Sequence, residues 1–192
     1  PYCPQTGTSY STHEVSQGDK EVTEPAVFVK FKLEDDDASV LAWTTAPWAP
    51  PGNVGLAAGP DITYCRVRIT EPASDSWEGR GGGEVGEELI LAKDLIGNVL
   101  RNHADVIEEF PGSDLVGKSY SPLFPGAIDR GSSESAWTVV SADFVTTTDG
   151  TGVVHTAVMY GEDDYRLGME VGFSAQHTVG MDGSFVSGVH EN

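Results

Sequence analysis

Basic side chains are scarce in this chain. Its 192 residues include 11 lysines and arginines against 30 aspartates and glutamates, and the formal net charge is −19. Such a surface repels phosphate groups, which argues against a protein that binds nucleic acid by itself. Only two cysteines are present, Cys3 and Cys65. They exclude a disulfide scaffold and favour a reducing, cytoplasmic setting.

Long apolar runs are also missing. No run approaches the roughly 18 residues that a membrane span needs, and no signal peptide opens the chain, so we expect no membrane partner. Hydrophobic residues nevertheless make up 39% of the chain, which excludes a wholly disordered protein. The length suits a single domain, residues 1–192. The abrupt start at Pro1 suggests that this domain is cut from a larger protein.

Long helical periodicity is rare, whereas short β-rich runs separated by turn residues are common. The spacing predicts two helices, over residues 92–101 and 163–171. Strands are predicted over residues 26–31, 39–43, 63–69, 88–91, 136–140 and 152–155. Residues 34–37 and 71–86 are expected to be loops. The pattern favours a mostly β barrel or sandwich.

Alternation is clearest in residues 63–69. There Cys65, Val67 and Ile69 alternate with Tyr64, Arg66 and Arg68. Because successive side chains of a strand point to opposite faces, we expect the first set in the core and the second set facing solvent.

Phosphate and metal motifs are weak. The glycine-rich residues 79–83 lack the Gly-Lys-Ser/Thr of a phosphate-binding loop. Cys3, His13 and Cys65 do not show the spacing of a zinc site. We therefore predict neither a metal nor an organic cofactor.

The most unusual stretch is residues 43–53, Trp-Thr-Thr-Ala-Pro-Trp-Ala-Pro-Pro-Gly-Asn. Its prolines remove donors and stiffen the chain, which leaves threonine hydroxyls and free amides to face a ligand. A proline-stiffened connection between strands explains the same residues equally well.

A second stretch combines a histidine with acids. His155 closes the run Gly-Thr-Gly-Val-Val-His, where a strand can present it to a cavity, although a structural histidine fits the pattern better. Glu162 and Asp163 read as the solvated start of a helix, where acids suit the helix dipole. Whether Asp164 faces solvent or the interior is open, because helical periodicity can turn one of three adjacent acids inward.

Together these pieces resemble the editing domain shared by isoleucyl-, valyl- and leucyl-tRNA synthetases. Residues 43–53 resemble the family's motif Trp-Thr-Thr-Thr-Pro-Trp-Thr-Leu-Pro-x-Asn, and residues 150–157 with 161–165 resemble its second motif. Trp48 after Pro47, and the absence of the arginine found in the valyl and leucyl relatives, favour the isoleucyl branch. Further similarity at residues 11–15, 115–124 and 181–185 extends the resemblance over nearly the whole chain.

The resemblance implies a β-barrel with a few peripheral helices that hydrolyses valine misattached to tRNA(Ile), with valyl-adenylate as a second candidate substrate. By the family's pattern, Asp164 holds the α-ammonium of the substrate and His155 limits the size of its side chain. Thr44 and Thr45 line the pocket, and Trp43 and Asn53 shape it. The implied catalytic residues are thus Thr45, His155 and Asp164, and Ala46 lies among the substrate-binding residues.

The chain departs from that motif at four positions. Ala46 and Ala49 replace threonines, Pro50 replaces leucine, and Val158 stands where proline is common. Since each alanine removes a hydroxyl, the alternative function is a catalytically silent insertion with a structural or tRNA-guiding role.

The resemblance also implies the partners. The expected ones are the 3′ end of mischarged tRNA(Ile), its valine moiety and the remaining domains of the same synthetase, which would use ATP and Mg elsewhere. The isolated domain is expected to be monomeric.

Overall fold

In the computed structural model the chain folds into β-sheets with short helices around them. The structure describes residues 2–3, 5–18, 20–21, 23–72, 81–100, 103–131, 133–186 and 189. Within these residues the strands are β1 (Tyr2–Cys3), β2 (Thr8–Ser9), β3 (Val27–Lys32), β4 (Ser39–Thr44), β5 (Gly55–Ala58), β6 (Thr63–Ile69), β7 (Glu88–Ala92), β8 (Ala104–Pro111), β9 (Val139–Ser141) and β10 (Val153–Thr156). The α-helices are α1 (Thr12–Ser16), α2 (Ile96–Val99) and α3 (Glu162–Val171), and single 3₁₀ turns cover Pro50–Gly52, Lys93–Leu95 and Gly112–Asp114. The mostly β prediction is confirmed.

Two sheets carry most of the fold. The larger has the strand order β3-β4-β7-β6-β8, and the smaller has the order β10-β5-β9. Backbone bridges join Leu33 to Tyr120 and Ser119 to Thr138 beside these sheets. Since the described strands fall into separate sheets, a closed barrel is not confirmed and stays a prediction.

The main core lies between the two sheets. It combines buried residues of the large sheet, such as Leu41 and Leu91, with Leu56 and Val153 of the small sheet. On β5 the neighbouring Ala57 points the other way and packs with Leu167 of α3. The small sheet is therefore covered on both faces, which explains why most residues of its strands are buried.

Several predicted elements are confirmed. Residues 34–37 form the bend between β3 and β4, which pair antiparallel. The predicted helix 163–171 is α3, with Glu162 and Asp163 exposed and Asp164 half-buried. Cys65 is buried in the core.

The prediction for the solvent face of β6 is confirmed at Arg68, which is exposed, and is wrong at Tyr64 and Arg66. Tyr64, expected to face solvent, is fully buried, and its hydroxyl donates to the carbonyl of Gly152 at 2.5 Å. Arg66 is half-buried in ion pairs with Asp36 and Glu88. A tyrosine tolerates burial when its hydroxyl finds a partner, and alternation in the sequence does not reveal that partner.

The predicted helix 92–101 is shorter in the structure. A 3₁₀ turn leads into α2, and Leu100 already has an extended backbone with φ −82° and ψ 134°. Gly97 lies inside this segment, and glycine is a poor helix former. The predicted strand 136–140 is likewise reduced to β9.

Four strands and α1 were not predicted. β5 reads Gly-Leu-Ala-Ala and lacks the β-branched residues that usually mark a strand. In β8 the register shifts between its pairings with Arg66 and Val67, so Ile107 is bulged and the alternation of its side chains is broken. β1, β2 and α1 are very short. Of the predicted loop 71–86, residues 73–80 lie outside the described residues.

Candidate active site

The first side of the candidate site is the threonine-rich turn, residues 43–53. Thr44 ends β4, and its hydroxyl accepts a hydrogen bond from the amide of Ala46 at 3.0 Å. The amide of Ala49 donates to the carbonyl of Ala46 at 2.8 Å, which closes a tight turn with Pro47 in its second position. Proline favours that position because its φ is fixed at the value the turn needs. The turn is therefore rigid, and it leaves Thr45 exposed.

The second side is the glycine turn, residues 149–154, which leads into β10. Gly150 and Gly152 have φ of 71° and 75°, a region that only glycine enters freely. The carbonyl of Thr151 accepts from the amide of Ala92 at 2.8 Å, and that of Gly152 accepts from Tyr64. A side chain at Gly152 would overlap Ala92. The glycine turn is thus fixed to the ends of β6 and β7.

These two segments face each other across a cavity of about 280 Å³, called the cavity below. Its lining consists of Trp43, Thr44, Thr45, Phe144, Thr146 and residues 149–154. A Cβ at Gly150 would lie 3.3 Å from the indole of Trp43, so the two sides nearly touch at one end. The volume lies just below the range of small-ligand pockets, roughly 300–1,000 Å³. The cavity therefore suits a small substrate group.

Asp149 is the only ionisable residue in that lining. It adds an acid to a lining that also includes Thr44, Thr45 and Thr151. The sequence reasoning missed it, although it directly precedes the Gly-Thr-Gly run and could have been noticed on that ground. Chemically, this carboxylate can attract an ammonium group into the cavity.

Asn53 closes the other end of the threonine-rich turn. It is buried, accepts a hydrogen bond from the hydroxyl of Tyr120 at 2.6 Å, and donates to the carbonyls of Gly55 at 2.9 Å and Thr156 at 3.5 Å. The amide of Val54 also donates to Thr156, at 3.0 Å. Asn53 therefore ties the turn to β10, and it does not line the cavity.

His155 lies directly after the cavity lining but outside it. Its side chain is 8% exposed, and Nδ1 has no hydrogen-bond partner among the described residues. Burial lowers the pKa of this imidazole to about 4, because the charged form loses its hydration. His155 is therefore neutral at physiological pH.

Asp164 also lies outside the cavity lining. It stands in the first turn of α3, and its Oδ1 accepts a hydrogen bond from the amide of Ala157 at 3.3 Å. Burial raises the pKa of this carboxyl to about 6, and the charge of Asp163 adds to the shift, while the Ala157 amide opposes it. A carboxylate with a raised pKa gains most from a cationic partner.

The structure thus divides the residues predicted from the sequence. Trp43, Thr44 and Thr45 share the cavity with the glycine turn. Ala46 is half-buried beside Thr44, whereas Asn53, His155 and Asp164 do not line the cavity. Within the described part of the chain no group of three metal-binding side chains occurs, and no helix there is long and apolar enough to cross a membrane.

Solved structures with a similar fold include two from leucyl-tRNA synthetases. The cytosolic leucyl-tRNA synthetase editing domain of P. knowlesi superposes with a TM-score of 0.52 at 14% identity, over 78% of this chain and 63% of that one. The GlLeuRS-CP1 structure gives 0.51 at 20% identity, over 71% and 45% of the two chains. At these identities the likeness shows the fold alone.

Curated sequences give a closer relationship. The chain is 43% identical over 190 residues to isoleucine–tRNA ligase of Clostridium novyi and 36% identical over 192 residues to that of Thermus thermophilus. The matches cover 98% and 97% of this chain, but only 17% and 16% of the ligases. No protein-family model matches the chain. The chain is therefore a homologue of one segment of the isoleucine–tRNA ligases.

Proposed function

We propose that the chain is the editing domain of an isoleucyl-tRNA synthetase and hydrolyses the ester between valine and tRNA(Ile). The observation that carries the proposal is the cavity between the threonine-rich turn and the glycine turn, in a chain homologous to isoleucine–tRNA ligases. One methylene in an apolar pocket is worth only ~1–3 kcal/mol, roughly 10–200-fold, and isoleucyl-tRNA synthetase is itself the standard example of this limit. A second pocket that admits only the smaller valine removes the resulting error.

The substrate's α-ammonium group needs an anionic partner. We assign this role to Asp164, because burial raises its pKa and a bound ammonium would relieve that cost. Asp149 is the second carboxylate within the candidate site, and it lines the cavity itself. A charge-assisted hydrogen bond to either group would both anchor and orient the ester.

Hydrolysis requires an oriented water molecule and donors for the oxyanion. The hydroxyls of Thr44 and Thr45 are the side-chain groups that we assign to holding water or substrate. His155 is neutral, so we assign it to the size limit of the pocket rather than to charge stabilisation. Positioning, assisted by a terminal ribose hydroxyl of the tRNA, is the mechanism that these groups support.

The net charge of −19 bears on the partners. Binding of tRNA phosphates draws on lysine and arginine, of which the chain has 11. We therefore propose that other domains of the synthetase hold the tRNA and deliver only its aminoacylated 3′ end. ATP and Mg would serve those other domains, the isolated domain would be monomeric, and the location would be cytoplasmic.

The test is deacylation of valyl-tRNA(Ile) by the full-length protein. We expect Asp164→Ala to raise KM by roughly 10- to 150-fold, since a hydrogen bond to a charged group is worth about 1.5–3 kcal/mol. Glu162→Ala is the matched control: Glu162 is an exposed acid of the same helix turn whose ion pair with Arg166 is worth little. Asp149→Ala tests the carboxylate that lines the cavity.

The outcomes separate the candidate roles. If Asp149→Ala shows the large loss and Asp164→Ala does not, the anchoring role belongs to Asp149. If the unmodified protein hydrolyses valyl-tRNA(Ile) no faster than these variants and the uncatalysed background, the editing proposal fails. The chain is then the silent insertion that Ala46 and Ala49 suggest.

A further inference from the structure

An aromatic group that includes Trp48 of the threonine-rich turn is not part of the cavity lining. The rings of Trp48 and Tyr160 meet edge to face, with centroids 5.1 Å apart and an interplanar angle of 85°. Tyr160 meets His177 in the same way at 6.2 Å and 72°. Trp48 is 45% exposed, and His177 is also exposed. We call these three residues the aromatic platform.

The platform is held rigidly. The hydroxyl of Tyr160 accepts hydrogen bonds from the amides of Thr178 at 2.6 Å and Val179 at 2.8 Å. Gly52 lies against the Tyr160 ring, where a Cβ would be 3.0 Å from the ring edge. Trp48 itself follows Pro47 within the closed turn described above. An exposed indole that is fixed in this way has already lost the conformational freedom that binding would otherwise cost.

The platform suits a nucleobase better than a phosphate. Its three side chains present ring faces and edges, and none of them is a lysine or arginine. Each base has a π-face, so stacking on an aromatic side chain needs neither a particular sequence nor a positive charge. A domain with a net charge of −19 has little electrostatic attraction for the tRNA backbone. Stacking on a base therefore suits this domain better than contacts with phosphate.

We propose that Trp48, supported by Tyr160 and His177, stacks an unpaired base near the 3′ end of the tRNA whose ester enters the cavity. This inference rests on the proposed function for the identity of the ligand. The threonine-rich turn carries both Thr45 and Trp48, so one rigid segment would contact the ester and a base of the same strand.

The experiment measures binding, and does not depend on hydrolysis. The probe is a 5′-labelled single-stranded RNA trinucleotide with a free 3′ end, together with three versions that each lack one base. Fluorescence anisotropy gives the Kd of each probe for the full-length protein and for Trp48→Ala, Trp48→Phe and Phe124→Ala. Phe124 is a matched control, since it is an exposed aromatic residue elsewhere on the surface.

We expect Trp48→Ala to weaken binding of the complete trinucleotide by roughly 5- to 150-fold, the range of a single stacked base. Trp48→Phe should keep most of the affinity, and Phe124→Ala should keep all of it. One of the three base-less probes should bind the unmodified protein as weakly as the complete probe binds Trp48→Ala. The same base-less probe should bind Trp48→Ala no more weakly still, because the stacked base is already missing. The loss should be equal at about 50 and about 200 mM salt, because stacking releases no counterions.

Two results would overturn the inference. One is equal affinity of Trp48→Ala and the unmodified protein for every probe, which would leave Trp48 as a surface that another part of the protein covers. The other is additive losses for Trp48→Ala and each base-less probe, which would place the bases elsewhere. Platform binding without any valyl-tRNA hydrolysis would instead refute the editing proposal alone.

Discussion

The amide of Ala157 donates a hydrogen bond to Oδ1 of Asp164 at 3.3 Å, and so joins the end of β10 to the first turn of α3. The carboxyl that accepts this bond is half-buried, and burial raises its pKa to about 6. A charge that is kept at a cost to folding is characteristic of functional sites. This relationship makes the charge of Asp164 testable through stability as well as through activity.

Asp164→Asn should stabilise the fold at neutral pH. The pKa of Asp164 is raised from 3.8 to about 6, so the folded state favours the protonated form. That contribution is fully present below about pH 4 and is lost as the pH rises through about 6. Asparagine keeps an oxygen for the Ala157 amide and has no charge to bury. We expect a gain of up to about 3 kcal/mol at about pH 7 and almost none at about pH 4.

Urea unfolding at the two pH values checks this expectation, with Glu162→Gln as the control for an exposed acid of the same turn. If Asp164→Asn raises the free energy of unfolding equally at both pH values, the charge of the Asp164 carboxylate does not destabilise the fold.

His155 should titrate far below an ordinary histidine. Burial lowers its pKa from 6.5 to about 4, so its neutral form stabilises the fold fully above about pH 6.5, and this contribution is lost as the pH falls through about 4. In NMR spectra its ring carbons should not shift between about pH 8 and about pH 5.5. A titration midpoint near 6.5 would mean that the ring is solvated, and that Nδ1 meets a partner other than the described residues.

The sequence revealed the two segments of the site but not which side chains line the cavity. Residues 43–53 stood out because tryptophan, threonine and proline are concentrated there, and the glycine turn stood out through its spacing. Whether His155 or Asp149 lines the cavity depends on how the glycine turn is attached to the neighbouring strands. Partners such as Ala92 for Thr151 are distant in sequence, and no local pattern reveals them.

The fold, too, could be predicted only where a local sequence pattern marks the element. Elements with a regular pattern, such as β6 and α3, agree with prediction in their bounds to within about a residue. β5 and β8 escaped because a small-residue strand and a bulged edge strand lack that pattern. Their places are determined by tertiary pairing, which overrides local propensity.

Gly152→Ala should damage the site by distorting the glycine turn. The residue has φ of 75°, and a methyl group would overlap Cβ of Ala92. We expect a loss of more than about 2 kcal/mol in unfolding free energy, since positive φ and overpacking each cost about 1–3 kcal/mol. Gly97→Ala in α2 is the matched control: apart from the backbone of its own helix, no described residue lies within 4 Å of its added methyl, and it should stabilise by up to about 1 kcal/mol. Equal thermal midpoints for the two variants would contradict this account.

Tyr120→Phe should loosen the far end of the threonine-rich turn. The hydroxyl of Tyr120 is the donor to Asn53 Oδ1, and both residues are buried. Its removal leaves a buried acceptor unsatisfied, which costs about 1–3 kcal/mol. Chemical denaturation measures the loss, and Tyr10→Phe, at an exposed tyrosine, should leave the unfolding midpoint unchanged. An unchanged midpoint for Tyr120→Phe as well would show that Asn53 finds another donor.

Ala46→Thr should accelerate the proposed hydrolysis, whereas Ala49→Thr should not. Both changes restore a hydroxyl at a position where the resembling motif has threonine, but the two alanines differ in their surroundings. Ala46 is half-buried next to Thr44, so a hydroxyl there can reach water or substrate. Ala49 is 3% exposed, and a hydroxyl at that position would be buried at a cost of about 1–3 kcal/mol unless it finds a partner.

Single-turnover deacylation of valyl-tRNA(Ile) by the full-length protein separates these cases. One added hydrogen bond of about 0.5–1.5 kcal/mol corresponds to roughly a 2- to 12-fold faster rate for Ala46→Thr. Ala49→Thr should lower the unfolding midpoint and leave the rate constant of the folded fraction unchanged. A faster rate in Ala49→Thr alone would place the missing hydroxyl after Trp48 and move the reacting ester toward the aromatic platform.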